Sequence, residues 1–335
     1  MAVAGMETGW KEGRRHAVEC DLKAFFDTVN HDRLMRSLLG KVRCRKTLGL
    51  IRRFLTAGVL LPDGTREATP QGVPQGGPLS PLLANIVLDP LDKELECPSG
   101  LPPSSIHFPE EENANFMAGA ERRQSRGHPF ARYADDFIVL VKSANAAKRV
   151  LASLIRYCEG RLQLIVNRAK SRAAPLKACE FLGYRLNNRS KLAWTDKAQH
   201  RFKERIKEIT SRNRGHKVQT VIDELNLYVR GWLNYYKLSS TYSEVRNLSA
   251  WIRRRVRLYY WKQWKQPRTR RRHLLALGAD PDTVHMATRS RKGYWRMSQN
   301  EIVRFALNNR WLEEQGVPDL RAIWIVLHYG PKARV

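Results

Sequence analysis

Three aspartates stand where apolar segments end, and together they could bind metal ions. Asp21 ends a short apolar run, and Asp135 and Asp136 separate two apolar runs at residues 130–133 and 137–141. Adjacent carboxylates repel one another and are costly to desolvate, so they usually need a cation to neutralise them. Three converging acids could hold two Mg²⁺ ions about 3.5–4 Å apart, an arrangement used for in-line displacement at phosphorus. The Asp-Asp pair on its own favours the alternative, a surface turn without a ligand.

Short strands and amphipathic helices are predicted to position these acids. The apolar run that ends at Asp21 predicts a strand, and residues 130–141 predict a β-hairpin with the Asp-Asp pair at its turn. A Pro/Gly-rich loop at residues 70–78 leads into a predicted helix and could present backbone N–H groups to a ligand. From residue 196 onward the pattern is helical almost throughout. The predicted fold class is therefore α+β, with an α+β module followed by a helical one.

The chain is strongly basic, and the excess of charge is greatest in its second part. Residues 1–200 contain 31 Lys+Arg against 21 Asp+Glu, and residues 201–335 contain 29 against 11. Residues 201–335 also hold 7 of the 9 Trp and 8 of the 11 Tyr. Basic and aromatic side chains together suit phosphate contact and base stacking, so we expect a nucleic-acid partner. The alternative is a solvated basic surface over an aromatic core.

Two runs of arginine are the candidate RNA-binding residues of this part. They are Arg253, Arg254 and Arg255, and Arg270, Arg271 and Arg272. Apolar residues in the surrounding helical pattern are expected to pack inward and to leave much of the first run facing outward.

Composition excludes several other classes. The longest apolar stretch is far shorter than the ~20 residues of a membrane-spanning helix, and the first residues lack the layout of a signal peptide. The five cysteines are scattered and form no Cys-x-x-Cys pair, so neither a disulfide framework nor a zinc site is indicated. We expect a cytoplasmic protein without a membrane partner.

Several segments, in order, resemble the group II intron branch of the reverse transcriptases. Tyr133-Ala-Asp-Asp136 resembles the Y-x-D-D motif of these enzymes. Further segments resemble the preceding catalytic block at Asp21–Asp32, the next block at Pro74–Asn85, a lysine-bearing block at Leu164–Lys170, a primer grip at Phe181–Arg185, and maturase-specific segments at Tyr228–Tyr236 and Lys292–Arg296. The resemblance covers nearly the whole chain.

The resemblance assigns roles to the acids and to one lysine. It implies that Asp21 and Asp135 are the principal ligands of two Mg²⁺ ions and that Asp136 is the third acid. Lys170 would lie near the triphosphate as a candidate proton donor to pyrophosphate. Without the resemblance, Lys170 would be interpreted as a solvated lysine.

The resemblance also implies residues that select the nucleotide. Phe26 would be a steric gate whose ring rejects a ribose 2′-OH, and Gln75 and Gly76 would contact the incoming nucleotide and the template. From the residues alone, Phe26 is better interpreted as core and Gln75 as part of a loop.

The implied architecture is a right-hand polymerase palm at residues 1–194, with an insertion loop at 97–128, followed by an all-helical thumb and maturase-specific domain at 195–335. The family has a fingers region before the first catalytic block, whereas twenty residues precede Asp21 here. We therefore expect the fingers to be missing from this chain.

The function implied by the resemblance is RNA-directed DNA synthesis together with binding of intron RNA to assist splicing. The partners would be group II intron RNA, an RNA template, a DNA primer and dNTPs; the sequence does not indicate an oligomeric state. The alternative is a catalytically inactive RNA-binding maturase. A retron or CRISPR-associated reverse transcriptase is disfavoured by the segment Arg230–Tyr236.

Overall fold

The chain forms two compact units, Met1–Ser190 and Lys191–Val335. The computed structural model describes residues 3–60, 63–74, 76–96, 128–211 and 213–331. The expected insertion loop lies outside these residues except for His128. Within the described ranges, no helix combines the length and the apolar character needed to cross a bilayer.

An antiparallel sheet organises the first unit. The strands of this unit are β1 His16–Cys20, β2 Val59–Leu60, β3 Arg66–Glu67, β4 Phe130–Tyr133, β5 Asp136–Val141, β6 Arg172–Pro175 and β7 Tyr184–Leu186. Four of them form the main sheet in the order β4–β5–β1–β6, and β2 pairs with β3 separately. Residues 137–141 of β5 are all buried, as expected for an inner strand that is covered on both faces.

Helices pack against this sheet and complete the core of the first unit. They are α1 Ala4–Lys11, α2 Phe25–Thr28, α3 His31–Leu39, α4 Arg45–Leu55, α5 Ser80–Glu96 and α6 Ala144–Arg156, the last continued by a π-helical turn at Tyr157–Arg161. The apolar stripe of α4 consists of Leu48, Ile51 and Leu55, which are all buried. The core joins helices α2 to α6 to the inner strands β1 and β5.

The second unit is almost entirely helical. After the short strand β8 Leu192–Trp194, it contains α7 Asp196–Ile209, α8 Val218–Tyr235, α9 Tyr242–Gln263, α10 Pro267–Ala276, α11 Pro281–Arg289, α12 Tyr294–Met297, α13 Glu301–Ala306, α14 Asn309–Glu314 and α15 Leu320–Tyr329. The prediction of an α+β fold with a helical second part is confirmed.

Local signals explain where several of these helices begin. The side chain of Thr195 accepts a hydrogen bond from the Ala198 amide at the start of α7. Both α10 and α11 begin with proline, which has no amide hydrogen to leave unpaired there. A cluster around Trp261 and Trp264 packs the C-terminal half of α9 against α10, α11 and α13.

Candidate functional site

The end of β1 and the start of β5 bring two of the predicted acids together. Cys20 lies opposite Phe137 in this antiparallel pair. The next position along the pair therefore places Asp21 beside Asp136. Asp21 is half-buried, whereas Asp136 is exposed at the start of β5.

Asp135 occupies the tight turn between β4 and β5. Tyr133 pairs with Asp136, so Ala134 and Asp135 form a two-residue hairpin loop, and the predicted hairpin is confirmed. Ala134 has a φ of 52°. Primed hairpin turns require a positive φ at this position, and glycine usually supplies it at lower cost. The turn places all three acids at one end of the sheet.

Arg132 holds this turn against helix α5. Its guanidinium makes a two-pronged ion pair with Asp92, in which Nε lies 2.6 Å from Oδ1. It also donates to the Asn85 side chain at 3.1 Å and to the Ala134 carbonyl at 2.9 Å. Bidentate arginine–carboxylate pairs fix geometry as well as charge. Sequence reasoning missed this residue, although it is part of the apolar run before the Asp-Asp pair.

The acids perturb one another electrostatically. Desolvation raises the pKa of Asp136, and the Asp135 and Asp21 carboxylates raise it further, while Lys170 acts in the opposite direction. Although Asp136 remains exposed, its neighbours remove part of the solvation of its carboxyl group. Desolvation is the largest cause of the raised pKa, and the smaller contributions of Asp135 and Asp21 add negative charge at this end of the sheet, where a cation would be stabilised.

Lys170 lies beside Asp21, and its implied place near a triphosphate stays a prediction. Its Nζ is 3.8 Å from Asp21 Oδ2, and its side chain is 70% exposed. Such an exposed pair contributes little to stability, so this lysine is free to turn toward another anion.

Two residues close to Lys170 in the sequence make hydrogen bonds that fix the backbone of Asp21. The Ser171 hydroxyl accepts a hydrogen bond from the Asp21 amide at 3.1 Å, and the Asn167 amide donates to the Asp21 carbonyl at 2.9 Å. Ser171 is buried. Sequence reasoning missed both residues, because a serine and an asparagine at the end of a loop carry no distinctive pattern.

Phe26 is half-buried beside the acids' end of β1. Its ring contacts that of Phe25 edge to face, with centroids 5.3 Å apart, and it packs against the core of the unit. Phe25 is buried, whereas Phe26 retains solvent access. The burial of Phe25 is that of a core residue, and the partial exposure of Phe26 is what a candidate gate requires.

The Pro/Gly-rich loop docks directly on the segment that carries Phe26. The Val73 amide donates to the Phe26 carbonyl at 2.6 Å, and buried His31 donates from Nε2 to the Gly72 carbonyl at 2.6 Å. Gly72 has a φ of 93°, and a Cβ there would lie 2.9 Å from the Asp27 carbonyl oxygen. Only glycine therefore allows this close approach.

The structure describes only one of the two loop residues that the resemblance implies to contact the nucleotide. Gly76 is exposed and has a φ of 84°. Gln75 lies outside the described residues, and its role stays a prediction. The loop beyond Gly76 is anchored by a hydrogen bond from the Ser80 hydroxyl to the Pro74 carbonyl.

The donor set of the three acids fits Mg²⁺, but their present arrangement is open. Carboxylate oxygens are the ligands that Mg²⁺ prefers, and the shared negative field favours a divalent cation. Among the residues that the structure describes, no three His, Cys, Asp or Glu side chains are grouped closely enough to enclose a metal ion. The fit therefore rests on donor chemistry and charge.

The first arginine run does not face outward as a whole, so that prediction is wrong for Arg253. This residue is buried, donates to Ser249 at 2.8 Å and lies 3.4 Å from the Asp319 carboxylate. Arg255 donates to the Thr210 hydroxyl at 2.7 Å. Arg254 stacks on the Trp295 ring at 3.6 Å. One turn of helix α9 cannot direct three consecutive side chains to the same face.

The second run divides in the same way. Arg270 is buried over the Trp261 ring at 4.6 Å, whereas Arg271 and Arg272 are exposed. A phosphate can reach the latter two directly. Arg253 and Arg270 instead belong to the interior of the second unit.

Two family models match the chain along most of its length. Residues 6–186 match the reverse transcriptase (RNA-dependent DNA polymerase) family, and residues 199–278 match the group II intron maturase-specific domain. The first match covers more than half of the chain.

Individual relatives are similar to parts of the chain. Protein YkfC of Escherichia coli is 32% identical over 179 residues, covering 51% of this chain and 47% of its own length. The group II intron-encoded protein LtrA of Lactococcus lactis is 30% identical over 209 residues, covering 51% of this chain and 35% of its own. The chain thus spans less than half the length of either relative.

Among solved structures, a telomerase from Candida albicans is similar over 76% of this chain and 46% of its own, with 13% identity and a TM-score of 0.42. The match over residues 6–186 decides the assignment. The chain belongs to the reverse transcriptase family and carries a group II intron maturase-specific domain after its polymerase palm.

Proposed function

We propose that this chain catalyses RNA-directed DNA synthesis and also binds group II intron RNA as a splicing maturase. The observation that carries the proposal is the meeting of Asp21, Asp135 and Asp136 at one end of the β1–β5 pair, within the segment that matches the reverse transcriptase family. The substrates would be dNTPs and a DNA primer on an RNA template, and the RNA partner would be the structured intron.

The reaction is attack of a primer 3′-hydroxyl on the α-phosphate of a dNTP. The reverse transcriptase family generally uses Mg²⁺; we propose two ions at this site, which when bound supply Lewis-acid stabilisation of the reacting oxygens. The three aspartates would hold the metal. Asp21 is kept in place by Ser171 and Asn167, and the turn that carries Asp135 is kept in place by Arg132.

Lys170 supplies positive charge at the same end of the sheet. Its exposed ammonium group, 3.8 Å from Asp21, can turn to a triphosphate oxygen or donate a proton to departing pyrophosphate. Phe26 would occupy the space next to the sugar and exclude a 2′-OH.

Primer extension beside an intron splicing assay tests the proposal. The proposed function requires Mg²⁺-dependent extension of a DNA primer on an RNA template. RNA binding and splicing without extension would instead establish the alternative, a catalytically inactive RNA-binding maturase that lacks the fingers.

Phe26→Ala is expected to raise the use of rNTPs relative to dNTPs by about 10-fold, because truncation opens space for a hydroxyl group at a cost of roughly 1–3 kcal/mol in discrimination. Incorporation efficiencies for both nucleotide types supply the measurement. Phe26→Tyr is the matched control, since it retains the ring and should preserve the wild-type ratio. If Phe26→Ala also leaves the ratio unchanged, Phe26 is a core residue and not a gate.

Arg132→Ala is expected to lower kcat for DNA synthesis by about 10- to 100-fold, because the turn that carries Asp135 loses its hold on α5. The KM for dNTP and the affinity for RNA should change little. Arg132→Lys keeps the charge but not the two-pronged geometry, so it should restore only part of kcat. An unchanged kcat in Arg132→Ala would show that the hairpin holds the turn by itself.

A further inference from the structure

A basic, partly open cavity lies on the second unit. It has a volume of about 280 Å³ and is lined by Ala250, Arg253, Arg254, Arg257, Gln299, Arg304 and Asn309. At about 30 Å³ per water molecule, this space holds a tetrahedral oxyanion and several waters. We call it the arginine pocket. No acid lines it, and Glu301 lines only an adjoining cavity.

Three of the four pocket arginines have no carboxylate partner among the described residues. Arg257 donates to the Leu307 carbonyl at 2.8 Å and to the Asn309 side chain at 2.9 Å, and both acceptors are neutral. Arg254 donates to the Trp295 carbonyl at 3.2 Å, and its buried Nε has no hydrogen-bond partner. Arg304 forms no ion pair within the described residues. Only Arg253 reaches an acid, Asp319.

These arginines destabilise one another's charge. Burial lowers the pKa of Arg257 to about 10, and the charges of Arg253 and Arg304 act in the same direction. Burial also lowers the pKa of Arg254. Buried like charges are costly, and a bound anion would offset that cost.

Two of these arginines, Arg254 and Arg257, are also held in position before any ligand arrives. The Arg254 Cζ lies over the Trp295 ring, 3.6 Å from its centroid, and Arg257 is fixed by its two neutral acceptors. Little side-chain entropy remains to be lost on binding, and the planar fork of arginine matches phosphate oxygens.

We propose that the arginine pocket binds a single phosphate group of an RNA backbone. The inference rests on the proposed RNA binding and extends it, because it assigns one phosphate to one site that includes Arg257 and Arg304. A phosphate oxyanion could also come from free inorganic phosphate, and the test separates the two sources.

Arg304→Ala in the full chain is the decisive variant, because Arg304 is exposed and forms no ion pair with any residue that the structure describes. Filter binding with a transcribed group II intron RNA is measured from low to high salt. We expect affinity to fall about 10-fold at low salt. The slope of log K against log salt should decrease by about 0.7 to 0.9, the value for one phosphate. Arg310→Ala is the control, since it removes an equal charge from an exposed residue outside both cavities and should change affinity less than about 2-fold.

A double-mutant cycle with Arg254→Ala tests whether the arginines share one phosphate. If they share one phosphate, the loss in log K of the double variant is smaller than the sum of the losses of the two single variants. The slope of log K against log salt still decreases only by the value for one phosphate. Additive losses with a slope change of two would overturn the single-phosphate site. Melting temperatures of all variants show whether each is folded.

A second arm measures how far inorganic phosphate raises the melting temperature relative to chloride at equal ionic strength. We expect phosphate to stabilise the wild type more than Arg304→Ala. If phosphate stabilises the wild type more than Arg304→Ala but the two proteins bind RNA with the same affinity, the pocket binds free phosphate. The proposal that it binds an RNA phosphate is then wrong. If neither phosphate stabilisation nor RNA affinity depends on Arg304, the pocket binds no phosphate. If the wild type fails to bind RNA, the proposed maturase function fails with it, whereas an RNA-binding wild type with an insensitive Arg304→Ala contradicts the pocket alone.

Discussion

Asp135→Asn combined with Asp136→Asn is expected to lower DNA synthesis by at least about 100-fold, since changes to the outer partners of metal ligands already cost 10- to 100-fold. The amide side chains remain similar in size, but they remove two of the three negative charges that would hold Mg²⁺. Primer extension over a range of Mg²⁺ concentrations supplies the measurement. RNA affinity should stay close to that of the wild type, because the formal net charge changes only from +28 to +30.

The same double variant carries its own control for folding. The pKa of Asp136 is raised in the folded protein, so its ionised form costs stability in full above the raised pKa. This cost declines as the pH falls from the raised pKa to the ordinary pKa of the carboxyl group. Replacing Asp136 by asparagine removes the cost at neutral pH. The melting temperature in EDTA should therefore equal or exceed that of the wild type. DNA synthesis by a folded double variant at the wild-type rate would show that these acids are not metal ligands.

The sequence predicted the strand that ends at Asp21 and the hairpin that carries Asp135 and Asp136 because both depend on local patterns. The same hairpin places Asp135 in its turn. The pairing of β1 with β5, which joins Cys20 to Phe137, is a long-range contact that the local patterns do not specify.

The supporting residues could not be predicted in the same way. Ser171 is 150 positions from Asp21 in sequence, and Arg132 reaches Asp92 across 40 positions. Neither contact follows from periodicity, because each depends on how two separate elements pack. The relation of His31 to Gly72 is another long-range contact of this kind.

The arginine runs show where composition misleads. A dense basic cluster predicts a nucleic-acid surface, but the 3.6-residue period of a helix turns consecutive side chains to different faces. Arg253 and Arg270 therefore enter the interior, while Arg257 and Arg304, which the sequence did not single out, line the arginine pocket. The large positive charge is real, but its placement follows from helix packing.

Because Arg253 lies in the interior, removing its partner Asp319 is expected to lower the free energy of unfolding strongly. Asp319 accepts hydrogen bonds from Ser249 at 2.9 Å and from the Arg321 amide at 3.0 Å, and it lies 3.4 Å from the Arg253 guanidinium. Asp319→Ala leaves a buried arginine without its counter-charge and removes the cap of α15. We expect the free energy of unfolding to fall by about 3–5 kcal/mol, the usual cost of breaking a buried ion pair.

Urea denaturation followed by tryptophan fluorescence measures this loss mainly in the second unit, which contains 8 of the 9 Trp residues. Asp280→Ala is the matched control, because Asp280 also caps a helix but is exposed and pairs with no arginine in the described chain. It should cost only about 1 kcal/mol. Arg253→Met combined with Asp319→Asn removes both charges, keeps a capping side chain and should recover most of the stability. If Asp319→Ala costs no more than Asp280→Ala, then Asp319 acts only as a cap, and Arg253 must reach water or another anion that neutralises it.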